Sequence, residues 1–181
     1  MNGVKSLETI SQPMDETKQR IIEEAKRIVE DALHSAKGHF AAASRWTSLH
    51  FWVGLVSTVF AAVAGASAFT NTDEGSIIAG ILAVVVSILT ACLTFVKPNN
   101  RAAQHLASAN AYLSLRNNTR IFAEITIATL DDPNASTTLK ELSDRRNYLN
   151  ESSPLIPRWA FVRGRKGIQE GEADYAIDAK K

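Results

Sequence analysis

Four histidines, two pairs of acids, one cysteine and one basic run are the side chains here best equipped for chemistry, and their spacing barely connects them. His34 and His39 lie five apart and share no helix face with an acidic third ligand, so neither they nor His50 and His105 read as a metal site. His50 sits at the mouth of an apolar segment, where it reads as an interfacial residue with the capacity to sense pH. Glu23 with Glu24 and Asp131 with Asp132 have no accompanying constellation; solvated helix and turn surface accounts for them. No nucleotide-binding glycine loop, zinc signature or nucleophile elbow occurs. Cys92 is the single cysteine, which excludes an internal disulfide and a cysteine-rich secreted framework. No cofactor, metal or enzymatic activity is expected.

The basic run, residues 158–167, is the most distinctive polar feature. Arg158, Arg163, Arg165 and Lys166 surround Trp159 and Phe161 with no acid among them. Aromatic and basic residues together suit anionic lipid headgroups or a phosphate-bearing ligand, while packing between subunits is the plainer reading. The formal net charge of +1 gives no general attraction to nucleic acid, and none is expected as a direct partner.

Charge elsewhere shows what must position these groups. The chain is 22% charged, yet residues 51–69 and 76–96 carry no charge at all. As helices they are about 28 and 32 Å long, matching a hydrocarbon core of about 30 Å. A cleaved signal peptide fits poorly, because the first apolar run begins some fifty residues in and a second follows at once. Residues 70–75 between the runs hold Asp73 and Glu74 and no Lys or Arg; Lys37 and Arg45 precede the pair, Lys97 and Arg101 follow it. By the positive-inside rule both termini are cytoplasmic, with Trp46 and Trp52 at the headgroup level of span one.

The sequence therefore predicts an all-α membrane protein. Residues 1–12 form a flexible N-terminus, 13–48 a helix leading into span one, 49–97 a transmembrane hairpin with spans near 50–70 and 76–96, and 98–181 a cytoplasmic helical region. Pro13 fits a first helical turn, and Ile21, Ile22, Ala25, Ile28, Val29, Ala32, Leu33, Ala36, Phe40 and Ala43 recur at three- and four-residue spacing. Pro98 restarts the chain with Asn99 or Asn100 as cap, and the helix runs to about Leu130 with Ala103, Leu106, Tyr112, Leu115, Ile121, Phe122 and Ile125 as its apolar face. Residues 130–137 read as a turn, 138–150 as a short helix, and 168–178 as a last helical piece. Such long amphipathic helices form a stalk that pairs internally and with neighbouring copies, so a homo-oligomer is expected.

Within the spans, small residues mark contact faces, because helix association in lipid depends on close packing. Span one has Gly54, Thr58, Ala62 and Ala66 on one ridge and Ser57, Ala61 and Gly65 on its neighbour; span two has a stripe of Ser76, Gly80, Ala83, Ser87, Thr90 and Thr94. The opposite side of span two, Ile77, Ile78, Ile81, Leu82, Val85, Leu89 and Leu93, suits lipid. For span one, packing within the hairpin is the preferred reading. For span two, packing and a narrow polar path between assembled hairpins both stand. No ionisable residue lies inside either span, which argues against a proton pump or ion-coupled transporter.

Residues 93–124, "LTFVKPNNRAAQHLASANAYLSLRNNTRIFAE", followed by 152–178, "SSPLIPRWAFVRGRKGIQEGEADYAID", resemble the SLATT family. The likeness extends roughly from Phe40 to the end. It rests on Trp46, Gly54 and Thr58, on Phe95, Pro98, Arg101, His105, Tyr112 and Leu115, and on Pro154, Pro157 and Tyr175. The resemblance implies a two-span hairpin with cytoplasmic helices in a bacterial inner membrane. It also implies a role as effector of an anti-phage system that acts with a nucleotide second messenger or nucleotide-signalling partner protein. Such effectors are thought to form pores or damage the membrane so that the infected cell dies first. A non-conducting anchor that recruits partners through its stalk is the alternative.

All these readings require hydrocarbon around residues 50–96. The purified chain is expected to need detergent to stay monodisperse; size-exclusion chromatography in plain buffer checks it, and a sharp detergent-free peak refutes it.

Overall fold

The computed structural model describes residues 4–70 and 72–175, with side chains from Glu16 onward. Every regular element among them is helical: α1 (Val4–Ala68), α2 (Asp73–Val96), α3 (Pro98–Glu124), a 3-10 turn (Thr126–Thr129), α4 (Asp132–Ser152) and α5 (Arg158–Gln169). They divide into two compact units, one of Met1–Ala41 with His105–Lys181 and one of Ala42–Gln104. Two helices are long and apolar enough to cross a membrane.

Several boundaries differ from the sequence reading. By its bounds α1 begins at Val4, so Pro13 lies within it instead of opening it. A proline ring fixes φ near the helical value, and a helix passes through it at the loss of one backbone bond. Residues 130–137 are not a turn: Asp131 caps α4 by accepting from the Asn134 N–H at 3.2 Å, and Pro133 sits in the first turn, where it removes no intrahelical donor. α3 stops at Glu124, six residues early, and a 3-10 turn follows it. Among the described residues the last helix is Arg158–Gln169, so the basic run is helical and residues 170–175 of the expected segment are not; the end of that segment, Asp178 included, falls outside the described residues.

In the helical unit α1 and α3 run antiparallel and α4 lies along both. Ile21 and Ala25 pack with Phe122, Ala123, Ile127 and Ala135, while Ile28, Ala32 and Ala36 pack with Tyr112, Leu115 and Leu149. The α1 face follows the sequence reading. The α3 face follows it in part: Tyr112, Leu115 and Phe122 are buried as expected, whereas Ala103, Leu106, Ile121 and Ile125 are exposed. Its covered seam is His105, Ala109, Tyr112, Arg116, Thr119 and Ala123, alternating four and three residues. Polar seam residues are tolerated because their bonds close locally. Thr119 donates to the Leu115 carbonyl at 2.8 Å, and the Tyr112 hydroxyl donates to Asn150 Oδ1 at 2.7 Å. Fully buried alanines at positions 25, 32, 109 and 135 let the backbones approach closely.

α5 is pressed onto α1 at a glycine. A Cβ on Gly164 would stand 2.8 Å from both the Gly38 nitrogen and the Lys37 carbonyl carbon, backbone atoms that cannot swing aside. Lys37 also pairs with Glu172 at 3.0 Å, which holds the segment after α5. Gly164→Ala is therefore expected to destabilise the helical unit by about 1–3 kcal/mol through overpacking. Thermal unfolding followed by circular dichroism reads this, and an unchanged midpoint refutes the close contact.

Candidate functional site

The hairpin unit is built from the C-terminal part of α1, α2 and the start of α3. Thr72 caps α2 through its hydroxyl, which accepts from the Gly75 N–H at 3.1 Å, and Asp73 and Glu74 in the first turn oppose the helix dipole. Gly75 is required here: a Cβ would collide with the Thr70 hydroxyl and stand 2.8 Å from the Ser67 carbonyl oxygen. At the other end Lys97 takes a left-handed conformation, φ 48°, and its N–H bonds the Leu93 carbonyl at 3.0 Å. Its own carbonyl accepts from Arg101 N at 3.2 Å, so Lys97 closes α2 and opens α3, with Pro98 as the first helical residue. Asn99 and Asn100 lie inside α3 and cap nothing, because Pro98 already occupies the N-terminal position that needs no donor. The Arg101 guanidinium stacks 5.2 Å from the Trp46 ring centre.

The two apolar helices turn one face each toward the other. On α1 the covered or half-covered positions are Val53, Ser57, Phe60, Ala64 and Ser67; on α2 they are Ala79, Leu82, Val86, Leu89 and Leu93. Both series alternate three and four residues, the rhythm of a helix pair. Leu82, Val85, Leu89 and Leu93, expected to face lipid, are thus half-buried, whereas Ile77, Ile78 and Ile81 are exposed as expected. Large side chains fill the seam of α2 because α1 offers it the small Ser57 and Ala64.

Most of the small-residue positions singled out from the sequence fall outside this seam. Ser57 is buried, its hydroxyl donating to the Val53 carbonyl at 2.8 Å, and Gly54 is half-covered. Thr58, Ala61 and Gly65 on α1 and Ser76, Gly80, Ala83, Ser87, Thr90 and Thr94 on α2 are exposed. Nothing lies within 4 Å of a Cβ built on Gly54, Gly65 or Gly80, so no helix of the unit packs against them. Thr58, Ser87 and Thr94 each donate to the carbonyl four residues earlier, at 2.9 Å.

In the helical unit the basic run lies on α5, where Ala160, Gly164 and Gly167 are buried and Arg158, Trp159, Val162, Arg163, Arg165 and Lys166 are exposed. Lys166 pairs with Glu170 at 3.5 Å. The sequence reading placed no helix over residues 158–167, where glycines at 164 and 167 weaken the helical signal.

Sequence reasoning missed one pairing. His39 and His105 face each other across α1 and α3 with Nδ1 atoms 2.9 Å apart, 1% and 5% exposed. One ring donates and the other accepts. The His39 ring stacks on Tyr112 at 5.6 Å. The signal was available: position 105 falls in the same four-three rhythm as Ala109, Tyr112 and Arg116. No group of three or more His, Cys, Asp or Glu capable of holding a metal ion occurs among the described residues.

Burial, and then the neighbouring His105, push the His39 pKa down to about 4 from an ordinary 6.5. His39 is thus neutral in the folded protein, and the unfolded chain binds the extra proton first as pH falls. Its contribution to stability is complete above about pH 6.5 and is lost toward pH 4, amounting to ~3 kcal/mol. Denaturant unfolding across this range is expected to show the loss, and the double variant His39→Leu, His105→Leu to flatten it. Parallel curves for the two proteins refute the assignment.

Comparison of the chain with protein-family models, with curated proteins and with solved structures finds no match.

Proposed function

We propose that the chain is a membrane effector of the SLATT kind, acting in bacterial defence against phage at the inner membrane with both termini cytoplasmic. When triggered, its hairpins assemble side by side and open a path or otherwise disrupt the bilayer, and the infected cell dies before the phage spreads. The observation that carries this reading is the small and hydroxyl face of α2, Gly80, Ala83, Ser87, Thr90 and Thr94, left uncovered by the hairpin's own packing. Close approach of helices in lipid uses such a face. Hydroxyls bonded back to their own helix can rest in hydrocarbon and turn to water once copies meet. The exposed apolar surface of the hairpin, with Phe51, Trp52, Ile77, Ile81 and Phe95 each more than half exposed, favours hydrocarbon as its surroundings. α5, with its cations and Trp159, suits anionic headgroups. A nucleotide-signalling partner supplies the trigger, and the protein performs no catalysis.

Expression in a bacterial host with the triggering partner, read with a potential-sensitive dye, tests the path. Wild type is expected to depolarise the membrane, and Ser87→Leu with Thr90→Leu to abolish depolarisation at equal membrane abundance. Preserved potential in the triggered wild type refutes it.

One observation favours the second reading, a non-conducting anchor for partners of the helical unit. The Ser87 and Thr94 hydroxyls are already satisfied and need no water. Exchange of residues 50–96 for an unrelated hairpin of equal length separates the two. An anchor retains function after the exchange, and a pore loses it.

A further inference from the structure

The helical unit contains a cavity of about 470 Å³ whose polar lining is Arg116, Arg120, Glu124, Asp174 and Tyr175. That volume lies within the range of small-molecule sites, ~300–1,000 Å³. Arg116 is 9% exposed, and its Nη1 donates to the Tyr175 hydroxyl at 3.0 Å. The guanidinium carbons of Arg116 and Arg120 stand 5.5 and 4.9 Å from the centre of the Tyr175 ring. The Nε of each is buried and has no hydrogen-bond partner.

This arrangement is costly as it stands. A guanidinium stays charged under all ordinary conditions, and two of them four residues apart on one helix repel. Burial of Arg116 with no ion-pair partner among the described residues penalises it further. Yet none of the ion pairs among the described residues includes Arg116 or Arg120, although Glu124 and Asp174 line the same cavity. Two guanidinium groups set against one tyrosine ring at the wall of one cavity offer more donors than the two oxygens of a carboxylate accept, and they match the oxygens of a phosphate. The cavity exceeds a bare phosphate, and the two carboxylates at its wall are acceptors for hydroxyl or amino groups on the rest of a ligand.

We propose that Arg116, Arg120 and Tyr175 bind the phosphate of a phosphate-bearing small molecule, with Glu124 and Asp174 accepting hydrogen bonds from its remainder. The site belongs to the helical unit alone and does not depend on whether the hairpin conducts.

The test uses the full chain in neutral detergent, with thermal unfolding followed in chloride, inorganic phosphate and AMP at matched ionic strength. A ligand that binds the folded state raises the midpoint with its concentration. Phosphate is expected to raise it above chloride, and AMP to act at lower concentration. Arg120→Gln, at a half-exposed position less exposed to folding defects than Arg116→Gln, is expected to weaken the AMP effect by about tenfold or more. Glu124→Gln is expected to strengthen the response to bare phosphate by removing a like charge. Identical midpoints in all three anions overturn the proposal, as does an equal response in Arg120→Gln. A rise seen only when phosphatidylglycerol is added to the micelle assigns the pocket to a lipid headgroup and overturns the soluble ligand.

Discussion

Close approach of backbones along alanine-rich seams is the constraint from which the helical unit follows. With alanine at 25, 32 and 36 on α1, at 109 and 123 on α3 and at 135 on α4, three helices come near enough that larger neighbours such as Ile28, Phe122 and Leu149 fill the remaining space. Within the same close packing Thr119, Tyr112 and the histidine pair are each bonded, while the Nε of Arg116 is buried without a partner. At Gly164 the principle reaches its limit, with the backbone of α1 at Lys37 and Gly38 too close to leave room for a Cβ.

The hairpin applies the same four-three rhythm on a different surface. Its seam is covered while its flanks remain apolar and open, an arrangement disfavoured in water and favoured in hydrocarbon. In lipid the large aliphatic side chains gain nothing by leaving their surroundings, so any further association depends on faces where backbones can meet. Gly54, Gly65 and Gly80 lie on such faces, and the internal seam uses different residues. Self-contained hydroxyl bonds make the outer face tolerable in a lone hairpin.

The two apolar helices, the polar turn and the break at Lys97 were legible in the sequence, because uninterrupted apolar length and a charge beside Pro98 are strong local signals. The buried face of α1 was legible from its spacing. The face of α3 was legible only at Tyr112, Leu115 and Phe122, because hydropathy ranks Leu106 and Ile121 above His105, Arg116 and Thr119, while burial there followed geometry and hydrogen bonding. The inward face of α2 was misjudged for a related reason: leucine suits lipid and a helix seam equally, and only the partner's small residues decide. α5 was not picked out because Gly164 and Gly167 weaken the helical signal, and only the close approach of α1 at Gly164 shows why glycine stands there. Arg116, Arg120 and Tyr175 are far apart in sequence, and nothing local announces that they meet.

The contact between His39 and His105 carries a consequence for the far sides of both rings. If one Nδ1 holds the proton, that ring's Nε2 is bare, and the other ring's Nε2 must be protonated. The two imidazoles are therefore opposite tautomers, and the pair is a small dipole with a definite sense across the helix interface. Reversal of that sense requires a proton to leave one outer nitrogen and another to arrive at the other, as the shared proton crosses between the Nδ1 atoms.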